Sequence, residues 1–431
     1  MNRRRPNILL LADLIPWPLQ SGGQIKSYRT LRALAEIGDV TLVTFVRRPE
    51  DEAYLQELKP FCDPYGFPLH RAGWRDAAAG AWSLLTSSSF FMNRNAHSAL
   101  QSFVNRLIAV NYADDAEDSA DKIDIIHIDH LQMMQFVPLD IPACKIVLDC
   151  HNVEYDLIRQ MGQATGDWAD LYLRPLYRLE SLRLKEVERD ACLRADAVLA
   201  VTEEDAMKFR ALAPEIAERV RCAPIGVDTE YFQLPDCYPM DSRTLLFMGA
   251  MFWPPNVDAL RWFCDSILPR LQHYIPDVRL MVVGARPTQD VRDIALATPG
   301  IELIADTPDI RPYAARASAF IAPLRFGGGM PVKTLCAMAM GLPVIATPSG
   351  VAGIYATDDE EIVMKAKNSI SPCFALVESD ADRFAAAVAA VLTNAELAAE
   401  LAENGRELVC ASYSATVAEA RVKEIYGELI L

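Results

Sequence analysis

The stretch Ala322-Pro-Leu-Arg325-Phe-Gly327-Gly328-Gly329-Met-Pro331-Val-Lys333-Thr-Leu-Cys336-Ala-Met-Ala-Met-Gly341-Leu-Pro343 reads as a strand, a triple-glycine loop, a helix, a glycine stop and the next strand. Pro331 is placed at the first helical position, where its missing N–H costs nothing. Three glycines leave the loop backbone bare, and the helix start adds the positive end of a dipole, so together they suit a diphosphate. Lys333 falls in the first helical turn, where a cation opposes the dipole. That misfit is resolved by an anion bound between them, with a plain solvated lysine as the simpler alternative.

Working outward, short apolar runs rich in β-branched residues alternate with segments of helical period. Strands are expected at Thr244–Met248, Arg279–Val283, Ile301–Ile304, Ala319–Pro323 and Pro343–Thr347, with helices near Asn256–His273, Gln289–Ala297, Ile310–Ala317 and Met330–Met340. The alternation predicts an α/β fold on a parallel, doubly wound sheet, and ligands bind such sheets beyond the carboxyl ends of the strands. Gly249 and Gly284 end two strands on the same rim as the triple glycine, which favours a nucleotide pocket over ordinary turns.

The first half repeats the scheme at Asn7–Leu11, Val40–Phe45, Ile123–Ile128, Lys145–Asp149, Ala197–Val201 and Arg221–Pro224. A second Rossmann-like sheet follows. The long charged helix from Leu171 to Arg194 reads as a solvated face, and the acidic run Asp114–Asp121 as an exposed loop. Gln233–Ser242, with two prolines and no period, is the expected linker. It divides the chain into a domain over 1–235 and another over 243–416, followed by a terminal helix over 417–431.

Composition bounds the function. The 431 residues are 51% hydrophobic and 23% charged, an ordinary globular balance. Forty-two basic against 58 acidic side chains give a net charge of −16, a field that repels nucleic acid. The ten cysteines are scattered without a Cys-x-x-Cys pair or a histidine at zinc-ligand spacing, which predicts reduced thiols and a cytoplasmic chain. Arg3 to Arg5 followed by Ile8 to Leu11 imitates a leader peptide, but Asp13, Pro16 and Pro18 cut the run short, so a first strand is expected there.

Candidate chemistry gathers at the strand ends. Gly22 and Gly23 follow the first strand and open a helix, although the dinucleotide fingerprint Gly-x-Gly-x-x-Gly is absent. His127, Asp129 and His130 close one strand and Asp149, His151, Asn152 and Glu154 the next, so three of the chain's six histidines meet at neighbouring ends and suit acid–base work. Alternation puts His127 and Asp129 on one face and His130 on the other or in the loop. Asp380 and Asp382 precede a helix and read as a cap, so no metal is expected. Trp74, Trp82, Leu84, Leu85, Phe90, Phe91 and Met92 lie among Arg71, Arg75 and Arg94, a mix that suits core and lid packing first and a membrane or lipid-linked acceptor second.

Two Rossmann-like halves, the glycine loop after the first strand and the late loop and helix together resemble the GT-B glycosyltransferases of glycosyltransferase family 4. The pairing of Phe247-Met-Gly-Ala-Met-Phe-Trp-Pro-Pro-Asn256-Val-Asp258 with Arg325 to Pro343 is similar to bacterial sugar transferases of exopolysaccharide gene clusters. The resemblance implies two domains facing across a cleft. It also implies transfer of a hexose from a nucleotide sugar to a lipid-linked or saccharide acceptor, with retention at the anomeric carbon and neither metal nor cofactor. Donor binding falls to the second domain and acceptor binding to the first.

By motif match, Gly249, Asn256, Gly284, Gly327, Gly328, Gly329 and Cys336 would bind the nucleotide sugar, with Gly22 and Gly23 approaching from the other domain. Arg325, Lys333, His130 and His151 would be catalytic, His151 and Asn152 matching a His-Asn element of the family. The final helix is implied to cross back onto the first domain, and a lipid-linked acceptor implies a peripheral place at the inner face of the membrane. Many relatives carry two glutamates eight positions apart where this chain has Gly328 and Cys336, and sulfur is a weak acceptor for a ribose hydroxyl. Two rivals accompany this reading, a nucleotide-sugar epimerase of the same architecture and a non-catalytic glycosyltransferase-like binding protein.

Overall fold

The computed structural model describes residues 4–69, 73–112, 121–141, 144–164, 173–234, 243–354, 373–377 and 379–430. It divides into two compact units, Met1–Pro224 with Ala418–Leu431, and Ile225–Val417.

The first unit is built on seven parallel strands: β1 Asn7–Ala12, β2 Asp39–Val46, β3 Asp63–Pro68, β4 Ile125–Asp129, β5 Lys145–Cys150, β6 Ala197–Ala200 and β7 Val220–Cys222, in the order β3-β2-β1-β4-β5-β6-β7. Alternate residues serve opposite cores, as the two-residue period of a strand requires. Leu9 and Leu11 join Val43, Phe45, Ile126 and Ile128 on one face, and Ile8 and Leu10 join Leu42, Ile125 and Val147 on the other. Because both faces are covered, the strands read as unbroken apolar runs. The order reverses between β1 and β4, so the loops after these two strands flank the ligand-binding crevice typical of such sheets.

The second unit carries β8 Thr244–Ala250, β9 Arg279–Ala285, β10 Ile301–Ala305, β11 Ala319–Ala322, β12 Val344–Ala346 and β13 Ala375–Leu376, in the order β10-β9-β8-β11-β12-β13. These strands too pair in parallel, with the switch between β8 and β11. The α/β reading is borne out in both units. Two edge strands went unread: β3 contains Pro64 and Pro68, which break strand patterning and are tolerated at an edge, and β13 has two residues.

Most of Gln233–Ser242 lies outside the described residues, and the units divide earlier, at Pro224 and Ile225. Residues 225–234 fold with the second unit because Val227 bridges Ser414 and the Arg311 guanidinium sits 4.0 Å from the centre of the Tyr231 ring. The helix Ala415–Ile430 returns to the first unit, where Val422, Ile425 and Tyr426 enter the core beside Ile8 and Leu10, and Arg29 pairs with Glu419 at 3.2 Å. All of the acidic run but Asp121, together with Cys237, lies outside the described residues. Nine cysteines are free among the described residues, and Asp380 caps its helix by accepting from the Arg383 N–H.

Candidate functional site

In the first unit, Ser21 caps the helix Gly22–Ile37 by accepting from the Gln24 N–H, so the helix opens on the two glycines. A Cβ at Gly23 would lie 3.7 Å from His151 Nδ1 and 3.9 Å from His130 Nε2. The fold thus brings together Gly23, His130 and His151 from the ends of β1, β4 and β5. One turn further along the helix, Ser27 donates to Asp129 at 2.9 Å and Lys26 donates to Asp149.

Asp129 is the hub of this cluster. His130 Nδ1 lies 2.9 Å from one of its oxygens and His151 Nε2 2.8 Å from the other, with the two rings 3.8 Å apart. Burial opposes ionisation of Asp129, yet the imidazoles hold its carboxyl well below the usual range. Burial also pulls His130 down, but Asp129 outweighs it and raises the imidazole to about 9. Burial and then repulsion from His130 take His151 down to about 4. At neutral pH the set is therefore a cation, an anion and a neutral imidazole. His130 stands in the turn after β4 with φ +77°, which settles the alternation question in favour of the loop.

Behind this set, Asp149 is fully buried, 3.5 Å from His127 Nε2, and His127 Nδ1 meets the Tyr426 hydroxyl at 2.5 Å. The terminal helix thus reaches the polar layer beneath the histidines. Asp129, His130 and His151 offer metal-ligand atoms within 4.8 Å of one another, as do His127, Asp129 and Asp149. Within the first trio each imidazole places one nitrogen on Asp129, so proton sharing is the chemistry their geometry supports directly.

In the second unit, the loop after β11 leads into the helix Val332–Ala339. Pro331 is its N-cap residue, one position earlier than expected, and Lys333 remains in the first turn. Lys333 donates to Asn256 Oδ1 with its ammonium 5.2 Å from the centre of the Phe247 ring, and Asn256 Nδ2 donates to the Ala250 carbonyl at 2.9 Å. Burial pulls Lys333 down to about 7, since its partner is an amide and not an anion. Arg325 is held by Asp258 through two hydrogen bonds, one of them 2.9 Å. Both cations therefore dock on the first turns of the helix Pro254–Trp262 but on different residues, Asn256 and Asp258.

The glycines divide by physical cause. Gly284 pairs with Gly249 across β9 and β8, and a Cβ at Gly284 would sit 2.2 Å from the Gly249 carbonyl oxygen. That glycine is required by packing whatever else it does. A Cβ at Gly327 would meet nothing within 4 Å, and Gly329 takes φ +66°. Gly328 lies in the same loop, and Cys336, one turn after Lys333, is buried with its thiol pushed far up by burial.

Sequence reading missed Lys26, Ser27 and Tyr426, and it gave no role to Asp258 although that residue closes the quoted motif. A local signal existed for the first two, which stand one helical turn beyond the Gly22-Gly23 pair. Tyr426, 299 residues from His127, had none.

Comparison with known proteins supplies the frame for these sites. Residues 242–394 match the family model described as "Glycosyl transferases group 1". An uncharacterized 44.6 kDa protein in the cps region of Klebsiella pneumoniae is 21% identical over 365 residues, covering 83% of this chain and 87% of that protein. Sucrose-phosphate synthase from Thermosynechococcus elongatus superposes with a TM-score of 0.66 at 19% identity, covering 99% of each chain. HepE of Anabaena, solved in complex with UDP, gives a TM-score of 0.64 at 12% identity, covering 98% of this chain and 100% of that one. Residues 242–394 thus resemble a glycosyl transferases group 1 domain, and the chain shares the GT-B fold of these solved structures.

Proposed function

We propose that this chain is a glycosyltransferase that moves a hexose from a nucleoside diphosphate sugar to a lipid-linked or saccharide acceptor in the cytoplasm, with retention and without a metal, in exopolysaccharide or cell-surface glycan synthesis. The observation that carries the donor half is Lys333, enclosed in the first turn after a bare glycine loop and held by an amide, so that it lacks a counter-anion on Asn256. A diphosphate supplies one. HepE of Anabaena in complex with UDP is a precedent for such a ligand on this fold, and the cps-region relative supports the polysaccharide setting.

In the reaction the bond between the anomeric carbon and the diphosphate oxygen breaks as a bond to the acceptor oxygen forms on the same face of the sugar ring, so the configuration is kept. Negative charge grows on the leaving diphosphate, where Lys333, Arg325 and the helix N-terminus stabilise it most when it is largest. In the first unit the neutral imidazole of His151, held by Asp129 at 2.8 Å, is the group that could take a proton from an acceptor hydroxyl. A sulfur at Cys336 makes a weak ribose partner, which also suits the rival reading of a binding protein without turnover.

The test combines titration calorimetry of a nucleoside diphosphate panel, UDP first, with a transfer assay that reads the anomeric configuration of the product. His130→Ala and His151→Ala should lower transfer while leaving nucleotide binding intact. Binding without transfer in the parent protein would support the non-catalytic rival. Free epimer formed without acceptor would support the epimerase. No affinity for any nucleoside diphosphate would end the donor assignment.

A further inference from the structure

Asn256 stands between two groups that leave its amide one orientation. On one side is the Lys333 ammonium, which has only protons to offer, and on the other the Ala250 carbonyl, which has only lone pairs. Both are satisfied when Oδ1 accepts from Lys333 and Nδ2 donates to Ala250 at 2.9 Å, and a reversed amide would lose both contacts. The side chain is buried against the end of β8, where a Cβ at Gly249 would sit 2.7 Å from Asn256 Nδ2 and 3.3 Å from its Cγ. Gly249 also takes φ +151°. Gly284, whose own Cβ would meet the Gly249 carbonyl, makes room for that strand end in turn. Two of the strand-end glycines thus form a stack of close approaches that leads to Asn256 and, through it, to Lys333.

Two residues further along the same helix, Asp258 holds Arg325 by accepting from Nε at 2.9 Å and from Nη2. The two partners differ in charge. Asp258 answers the guanidinium within the protein, whereas Asn256 fixes the ammonium and leaves its charge unanswered. Cys336, one turn beyond Lys333, has its thiol pushed far up by burial and adds no charge. An acid at position 256 would supply the anion itself and would set an oxygen against the Ala250 carbonyl. An amide of this size meets both neighbours without cancelling the cation.

We propose that Asn256, given room by Gly249, is a positioning residue that aims the Lys333 ammonium without neutralising it. Motif match places Gly249 and Asn256 among the groups that bind the nucleotide sugar; their packing gives them an indirect role instead. The assignment rests on the reading of Lys333 as the cation for a donor diphosphate.

The test has two arms, and the first needs no nucleotide. Acetylation of Lys333 by acetic anhydride, followed against pH by mass spectrometry, should show a midpoint of about 7 in the parent and above about 9 in Asn256→Asp, where the new carboxylate answers the ammonium. An unmoved midpoint overturns the proposal. In the second arm, calorimetry with UDP at about pH 6.5 should show affinity lowered about tenfold or more by Asn256→Asp, by Asn256→Leu and by Lys333→Met. Lys333→Met/Asn256→Leu should bind within about twofold of Lys333→Met alone, because Asn256 acts only through the lysine. Losses that add overturn the proposal, since Asn256 then contacts the nucleotide by itself. The first arm decides if Asn256→Leu does not fold. A shifted midpoint in a parent that binds no nucleoside diphosphate supports the hold of Asn256 on Lys333 and removes the donor reading alone.

Discussion

Two lysines placed near the starts of helices that follow parallel strands meet opposite surroundings. Lys26, in the first unit, is buried against the carboxylate of Asp149, so its charge is answered within the protein. Lys333, in the second, is held by the amide of Asn256 and is pulled down by burial to about 7. A buried ion pair must be complete to be tolerated, whereas a half-buried cation held only by an amide loses its proton more readily and gains from an arriving anion. The first arrangement is a finished support; the second is the one that the proposed donor diphosphate would complete.

The largest expected effect breaks the finished side. Asp149→Ala strands Lys26 in the interior and should cost about 3–5 kcal/mol of unfolding free energy. The double variant Lys26→Met/Asp149→Leu should recover most of it in denaturant titration. If Asp149→Ala is as stable as the parent, the contrast between the two lysines fails.

On the receptor side, Lys333→Ala should lower kcat/KM for the nucleotide sugar by roughly 10²–10³-fold, the scale for removing one preorganised donor from a developing anion. Circular dichroism should show the fold intact, because the truncation removes a desolvated cation. Unchanged turnover would remove Lys333 from the reaction.

Next in size is the packing beneath that receptor. Gly284→Ala pushes a methyl group toward the Gly249 carbonyl and should destabilise by about 1–3 kcal/mol, visible as a lower Tm with ligand absent. A neutral outcome would mean that the strand ends yield easily and that Gly284 has no packing reason.

The histidine pair gives a smaller, two-sided dependence on pH. His130, raised to about 9, contributes stability that is complete below its ordinary value of 6.5 and is lost as pH rises through 9. His151, lowered to about 4, contributes stability present above 6.5 that is lost as pH falls toward 4. The Tm should therefore fall by a few degrees on both sides of the middle range, and Asp129→Asn should flatten the alkaline limb. A parent profile that is flat from pH 5 to 9 contradicts the assigned charges.

The smallest signal separates the lysines most directly. Nucleoside diphosphate binding at Lys333 should take up a fraction of a proton near pH 8, measured as a dependence of calorimetric enthalpy on buffer ionisation, and Lys333→Met should abolish it. Uptake that persists in Lys333→Met places the titrating group elsewhere.

The strands were legible because burial on both faces writes them as apolar runs, and the glycine loops because bare backbone turns demand that residue type. Asp129, His130 and His151 were legible as candidates since parallel strands deliver their ends to one edge. Their division into cation, anion and neutral ring was not, because it arises from distances near 3 Å between residues on different strands. The same limit hid Tyr426 beneath the histidines and Asp258 under Arg325. In the helix Gly73–Thr86 the sequence shows an apolar stripe, and apolar stripes ordinarily face the core, yet Trp74, Trp82 and Leu85 are exposed. By itself, then, the sequence determined the strands, their parallel alternation and which residue types stand at their ends, all of which follow from local periodicity. Tertiary structure alone decided which charges are paired, which cation lacks an anion and which apolar stripe meets solvent, since each of these depends on residues that the chain brings together from far apart.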